Sequence, residues 1–160
     1  MLIWTARFSR KKAVISVIIF GIMMVVLILL TGRPFKDNTT SPILEDNTQR
    51  TSYLQSLGWN VESEPVETLQ FLFPDTLEEP YLSYNELQLA QGFDLAVCCG
   101  KQVIRYTYAI TNYPGHTEGV QVNLYVCNEA LVAGDICCLG KDGFQKPLMP
   151  IDAIQNEIRK

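Results

Sequence analysis

Apolar residues in this chain fall first into one unbroken block and then into short periodic runs. The block, Ala13 to Thr31 (AVISVIIFGIMMVVLILLT), contains no charged residue. At ~1.5 Å per helical residue it would extend roughly 28 Å, close to the ~30 Å hydrocarbon thickness of a bilayer, so residues 13–31 are predicted to form one transmembrane helix. Its thirteen Val, Ile, Leu and Phe residues each favour insertion by about 0.3–0.6 kcal/mol near the helix centre, and no ionised group opposes them. A cleaved signal peptide is the rival reading, but such peptides have apolar regions of ~7–15 residues that end in small side chains. This block is longer and ends Leu29-Leu30-Thr31-Gly32, which favours an uncleaved anchor.

Residues 32–46 (GRPFKDNTTSPILED) lose the apolar period and have the Pro, Gly, Thr and Asp content of a linker. The 114 residues from 47 to 160 suffice for one core that buries roughly two thirds of the unfolded surface. A helix is expected over Thr48–Leu57, with Asn47 or Thr48 as N-cap, Tyr53, Leu54 and Leu57 on one face, and Gly58 as its left-handed stop. In Val66–Phe73 the residues Leu69, Phe71 and Phe73 alternate with polar or outward positions, a strand closed by Pro74. Ser83 and Glu86 have capping-box spacing for a second helix on which Tyr84, Leu87 and Gln91 share a face, ending at Gly92.

Strict alternation returns in Gln102–Asn112, with Ile104, Tyr106, Tyr108 and Ile110 on one side, and again in Val120, Val122, Leu124 and Val126. Tyr113-Pro114-Gly115 separates those two runs. Asn128-Glu129 can turn the chain so that Leu131–Cys138 returns as a hairpin partner. Ile151, Ile154 and Ile158 suggest a final amphipathic helix with Asp152 near its start. The expected fold is α+β: a small antiparallel sheet, meander or hairpin, packed with two or three short helices and preceded by the transmembrane helix.

Charge sorts the chain into the same parts. Residues 1–36 hold six basic and no acidic groups, whereas residues 37–160 hold seven basic and seventeen acidic, a balance of −10. Arg7, Arg10, Lys11 and Lys12 precede the block, and only Arg33 and Lys36 follow it closely, which favours a cytoplasmic N-terminus. The expected organisation is therefore a basic cytoplasmic tail (1–12), a single-pass helix in the cell membrane (13–31), a linker (32–46) and an extracytoplasmic domain (47–160). So acidic a domain is unsuited to nucleic acid.

Five cysteines carry the main candidate chemistry: Cys98, Cys99, Cys127, Cys137 and Cys138. With a two-residue turn at Asn128-Glu129, Cys127 lies beside Ala130 and Cys138 across from Gly119, too far apart for a disulfide, which needs Cα atoms within roughly 7 Å. The same count points Cys137 into the core with Val120 and Val122, and Cys138 away. The loop pair Cys98-Cys99 can reach Cys137 or Cys138, and a bridge there would add ~3 kcal/mol by closing a loop of about forty residues. A redox or metal site is weaker, because Cys-x-x-Cys spacing is absent and His116 sits in a turn. Several thiols could equally be small buried hydrophobes.

Asp135 is expected on the apolar face opposite Val122, where a carboxylate needs a partner, with Arg105 the candidate by type. Glu62, Glu64, Glu67, Glu78 and Glu79 lack the alternating spacing of a calcium loop. No catalytic triad, phosphate-binding loop or zinc-helix motif is present, and no cofactor or metal is implied.

Three spaced motifs carry a resemblance. Tyr53-Leu54-Gln55-Ser56-Leu57-Gly58-Trp59 is followed by Tyr84-Asn85-Glu86-Leu87-Gln88 with Gln91-Gly92-Phe93-Asp94-Leu95, and then by Arg105-Tyr106-Thr107-Tyr108 with Asn112-Tyr113-Pro114-Gly115. Over residues 46–145 the chain resembles the DUF4830 family, a domain of unknown function in membrane-anchored proteins of low-GC Gram-positive bacteria. Gly134 and Asp135 with Cys137 fit that pattern, whereas Cys98, Cys99 and Cys127 depart from it. The resemblance implies an anchored extracytoplasmic domain and no activity. The expected function is a non-enzymatic binding or accessory module, with an envelope protein or ligand as partner and Tyr81, Tyr113 and Trp59 as candidate contact aromatics. The alternative is a thiol-dependent redox or sensing protein that uses Cys98, Cys99, Cys137 and Cys138.

Overall fold

The computed structural model describes residues 41–116, 118–139 and 143–159. The expected transmembrane helix at 13–31 lies outside the described residues, and among those described no helix is long and apolar enough to cross a membrane. The domain is α+β, a five-stranded antiparallel sheet with three helices. Its strands are β1 (Glu67–Leu72), β2 (Gln102–Ala109), β3 (Val120–Cys127), β4 (Ala130–Cys138) and β5 (Phe144–Pro147), which lie side by side in chain order as a meander. The helices are α1 (Asn47–Ser56), α2 (Tyr81–Leu89) and α3 (Ile151–Ile158), with a short 3₁₀ turn at Leu95–Cys98.

Alternation in β2 and β3 divides the sheet into two faces. Tyr108, Val122, Leu124 and Ile136 point to the face covered by α1 and α3, where Leu54, Trp59, Leu148 and Ile154 complete one apolar core. Helix α1 starts at Asp46, whose carboxylate accepts from the Gln49 N–H at 2.7 Å in a capping box, one residue before the expected cap. Gly58 follows with φ +85°, and an added Cβ there would lie 2.5 Å from the Ile151 side chain, so both conformation and packing demand glycine. The Ile151 N–H in turn donates to the Leu57 carbonyl, which pins α3 to the end of α1.

Residues at the end of the expected linker already belong to the fold. Leu44 is buried in this core, and Ile43 forms an isolated bridge to Ala130. One cation is buried on the same face: Arg50 donates to the Tyr108 hydroxyl at 3.0 Å and to the carbonyls of Leu44 and Glu45, while its guanidinium lies 3.7 Å from the Tyr106 ring centroid. Neutral oxygens and a π face thus replace the carboxylate it lacks.

The β3–β4 hairpin turns at Asn128 and Glu129, both with positive φ, as a two-residue turn of the expected kind. Its register is not the expected one. Val126 faces Leu131 but Tyr125 faces Ala133, so Val132 is an extra residue on β4. A bulge of this sort shifts every later residue by one and thereby reverses which face it occupies. Asp135 therefore pairs with Asn123, not Val122, and lies on the face opposite the α1/α3 core. Cys137 shares that face, while Cys138 pairs with Val120 and packs against the core, the reverse of the expected placement.

Candidate functional site

The second face is where polar chemistry gathers. Phe73, Leu95, Cys98, Val103, Cys127, Val132 and Ala133 form a smaller apolar cluster under the 3₁₀ turn and α2. Helix α2 begins at Tyr81, two residues before the expected Ser83 cap, and the Ser83 hydroxyl donates instead to the Glu79 carboxylate. The helix also inverts the usual rule of burial. Its Asn85 and Gln88 are buried, Gln88 completely, whereas Leu82 and Leu89 are 46% and 54% exposed.

Unpaired backbone explains that inversion. Strand β5 reaches its last pairing at Pro147, opposite Asp135, so the edge of β4 at Gly134 has no strand partner there. Gln88 Oε1 accepts from the Gly134 N–H at 2.9 Å, and Gln91 Nε2 donates to the Gly134 carbonyl at 3.1 Å. Gln91 Oε1 also accepts from the Leu148 N–H at 2.7 Å. Two side-chain amides thus continue the ladder, which a leucine face could not do. Asn85 serves the 3₁₀ turn in the same way, accepting from the Leu95 N–H and donating to Asp94.

Docked by these amides, α2 stands off the sheet far enough to leave a groove of about 530 Å³. Tyr81, Tyr84 and Leu87 form its helical wall, Phe73 and Leu95 one end, and Tyr125 with Gln145 the sheet side. The rings meet in two crossed pairs. Phe73 and Tyr81 are edge-to-face at 4.9 Å and 63°, and Tyr84 and Tyr125 are tilted at 5.7 Å and 57°.

Behind this wall lies Asp135, 1% exposed. The Tyr84 hydroxyl donates to its Oδ1 at 2.6 Å, and Asn123 Nδ2 and Gln145 Nε2 donate to its Oδ2 at 3.2 and 3.3 Å. Thr107 extends the chain by donating to Asn123 Oδ1. Every donor to the carboxylate is neutral. Arg105, the partner expected by type, pairs with Glu67 instead, and the other ion pair among the described residues joins Lys146 to Glu157. Burial first, and the Asp135 charge second, push the Tyr84 hydroxyl well above the usual phenol range and raise that of Tyr125 as well, with Tyr84 and Arg105 opposing the rise at Tyr125, so both keep their protons.

Cys98 lies in the 3₁₀ turn with Cys99 as its cap, and Cys137 and Cys138 end β4. All five cysteines are unbridged. Cys98 lies beside Cys127 within the smaller apolar cluster, and burial together with that neighbour pushes its thiol up to about 12. Cys99, Cys137 and Cys138 are half-buried. Cys137 sits near Asn123, whose Nδ2 donates to its sulfur at 3.5 Å, and burial and Asp135 raise it as well. Among the described residues no three His, Cys, Asp or Glu side chains converge to hold a metal ion.

Of the aromatics expected to contact a ligand, Tyr81 lines the groove, but Trp59 and Tyr113 are core. Trp59 stacks on Tyr113, Tyr113 stacks on Phe144, and His116 lies edge-on to both Tyr113 and Phe144. The residues that sequence reading missed are Phe73, Tyr84, Tyr125 and Gln145. A usable signal was present in α2 and the turn after it, where Tyr84, Gln88 and Gln91 have the spacing of one helical stripe that is polar where a core face should be apolar. No protein family, curated protein or solved structure was found to match this chain.

Proposed function

We propose that the chain is a membrane-anchored, extracytoplasmic binding module without catalytic chemistry of its own, and that its ligand lodges in the groove beside α2. The groove carries this reading: it has aromatic walls, a volume of about 530 Å³ and few polar groups, the make-up of a small-molecule site. The anchor and its orientation rest on residues 13–31 and on the basic residues before them. The motif likeness supports the same placement and adds no activity. The Ser83 hydroxyl at the groove donates to the Glu79 carboxylate four residues before it, a contact local to the start of α2, and no histidine lines the groove among the described residues. The thiol alternative has less support, because reactive cysteines need lowered pKa values and Cys98 and Cys137 are raised.

Hydrogen exchange on the full-length protein in detergent micelles, with and without envelope extract, tests the site. Slower exchange in α2 and around Tyr125 is expected, and it should vanish in Leu87→Trp, whose indole fills the groove. Protection that is absent, or that survives in Leu87→Trp, would remove the groove from consideration. An impermeant maleimide applied to intact cells tests the placement: Cys99 should label, and labelling only after lysis would put the domain inside.

A further inference from the structure

We propose that the ligand of this groove is an organic ammonium ion, held by the faces of Tyr81, Tyr84 and Tyr125 and by the negative charge of Asp135 behind them. This rests on the groove being the binding site and adds the chemical class of what it takes. Three connected observations point to a cation.

The first is shape. Two crossed ring pairs, Phe73 with Tyr81 and Tyr84 with Tyr125, present aromatic surface in more than one direction around the same space. A cation gains from each ring face it touches, because the face of an aromatic ring carries the negative part of its quadrupole.

The second is charge. Asp135 is buried and surrounded by the neutral donors Tyr84, Asn123 and Gln145, and neither ion pair among the described residues involves it. Among the described residues no charged side chain lines the groove itself. The guanidinium of Arg105 reaches the Tyr125 hydroxyl but is paired with Glu67, so a positive ligand would still face the Asp135 carboxylate across buried protein, where attraction is stronger than in water. An anion would be repelled. A neutral ligand of equal size would gain nothing from Asp135.

The third is the link between the two. Tyr84 is both a wall of the groove and the closest donor to Asp135, at 2.6 Å. A phenol that donates to a carboxylate is drawn toward phenolate character, which makes its ring face richer in electrons. The hydrogen bond thus delivers the buried charge to the surface that the ligand touches. The balance of −10 over residues 37–160 favours the approach of cations as well.

The test is calorimetric titration of the full-length protein in detergent micelles with choline and with its neutral carbon isostere, dimethylbutanol. Choline should bind saturably at millimolar concentrations or below, and the isostere at least about tenfold more weakly. Asp135→Asn keeps an acceptor for Tyr84 but removes the charge, and should weaken choline about tenfold while leaving the isostere unchanged. Should Asp135→Asn fail to fold, Tyr84→Phe keeps the ring, breaks the link to Asp135 and should also weaken choline selectively. Equal binding of the two probes, or an undiminished affinity for choline in both variants, overturns the inference. Absence of choline binding overturns it too, and if extract still protects α2 from exchange, the groove remains a site for a ligand of another class.

Discussion

The two faces of one sheet show what each kind of burial accomplishes. On the α1/α3 face the buried side chains are almost all apolar, from Trp59 and Leu54 to Val122, Leu124 and Ile154, and its one buried charge, Arg50, is absorbed by carbonyls, a phenol and a ring. On the α2 face a smaller apolar cluster borders a polar chain that runs from Thr107 through Asn123 to Asp135 and Tyr84. The first face is filled. The second is held off by glutamine amides and keeps a groove. Apolar contact brings a helix as close as its side chains permit, whereas a helix docked by hydrogen bonds to a strand edge stops at the distance those bonds set.

Trp59→Ala should make the largest difference between the faces. It empties a completely buried site and frees the indole's bond to the Met149 carbonyl, so a loss of about 3–5 kcal/mol is expected in chemical denaturation. Next comes Asp135→Ala, which leaves the donors of Tyr84, Asn123 and Gln145 without an acceptor and should cost ~1–3 kcal/mol. If the order of these two variants were reversed, the α2 face and not the α1/α3 face would be the main source of stability.

Alkaline pH gives a smaller and separable effect on the α2 face. Cys98 in the unfolded chain ionises near 9.0, whereas the folded protein holds that proton to about 12. Between those values the unfolded state binds fewer protons, so stability is full below about pH 9 and falls as pH rises toward 12. Denaturation midpoints should drop between about pH 8 and about pH 10, and the Cys98→Ala variant should drop less. An identical slope in that variant would assign the alkaline loss to other groups, Tyr84 first among them. At the small end, Glu67→Gln breaks the pair with Arg105 on the exposed edge of the sheet and should change stability by less than about 1 kcal/mol. A larger loss would mean that the edge strand depends on that pair.

The core face was largely readable in advance. The alternation of Ile104, Tyr106 and Tyr108, and of Val120 through Val126, placed β2 and β3 correctly, and the amphipathic spacing of α1 and α3 identified the helices that cover them. Strand β5 was not read, because four residues between turns are too short for a period to declare itself. The groove was not read either. Ser83 looked like a cap, and Tyr84, Leu87 and Gln91 like one face of a helix, with nothing to mark Gln88 for burial.

Periodicity belongs to each segment alone, because it follows from the geometry of the backbone, and so the α+β class and the order of most elements were contained in the chain's own pattern. Which face Asp135, Cys137 and Cys138 occupy depended on the extra residue Val132, whose place is set by how β4 packs against β3 and not by any local preference. Likewise, that Gln88 would be buried and Gln91 half-buried while two leucines stay exposed depended on an unpaired carbonyl and N–H at Gly134, forty-three residues from Gln91 along the chain. A polar side chain is buried where a distant backbone needs it, and no window of sequence contains both partners.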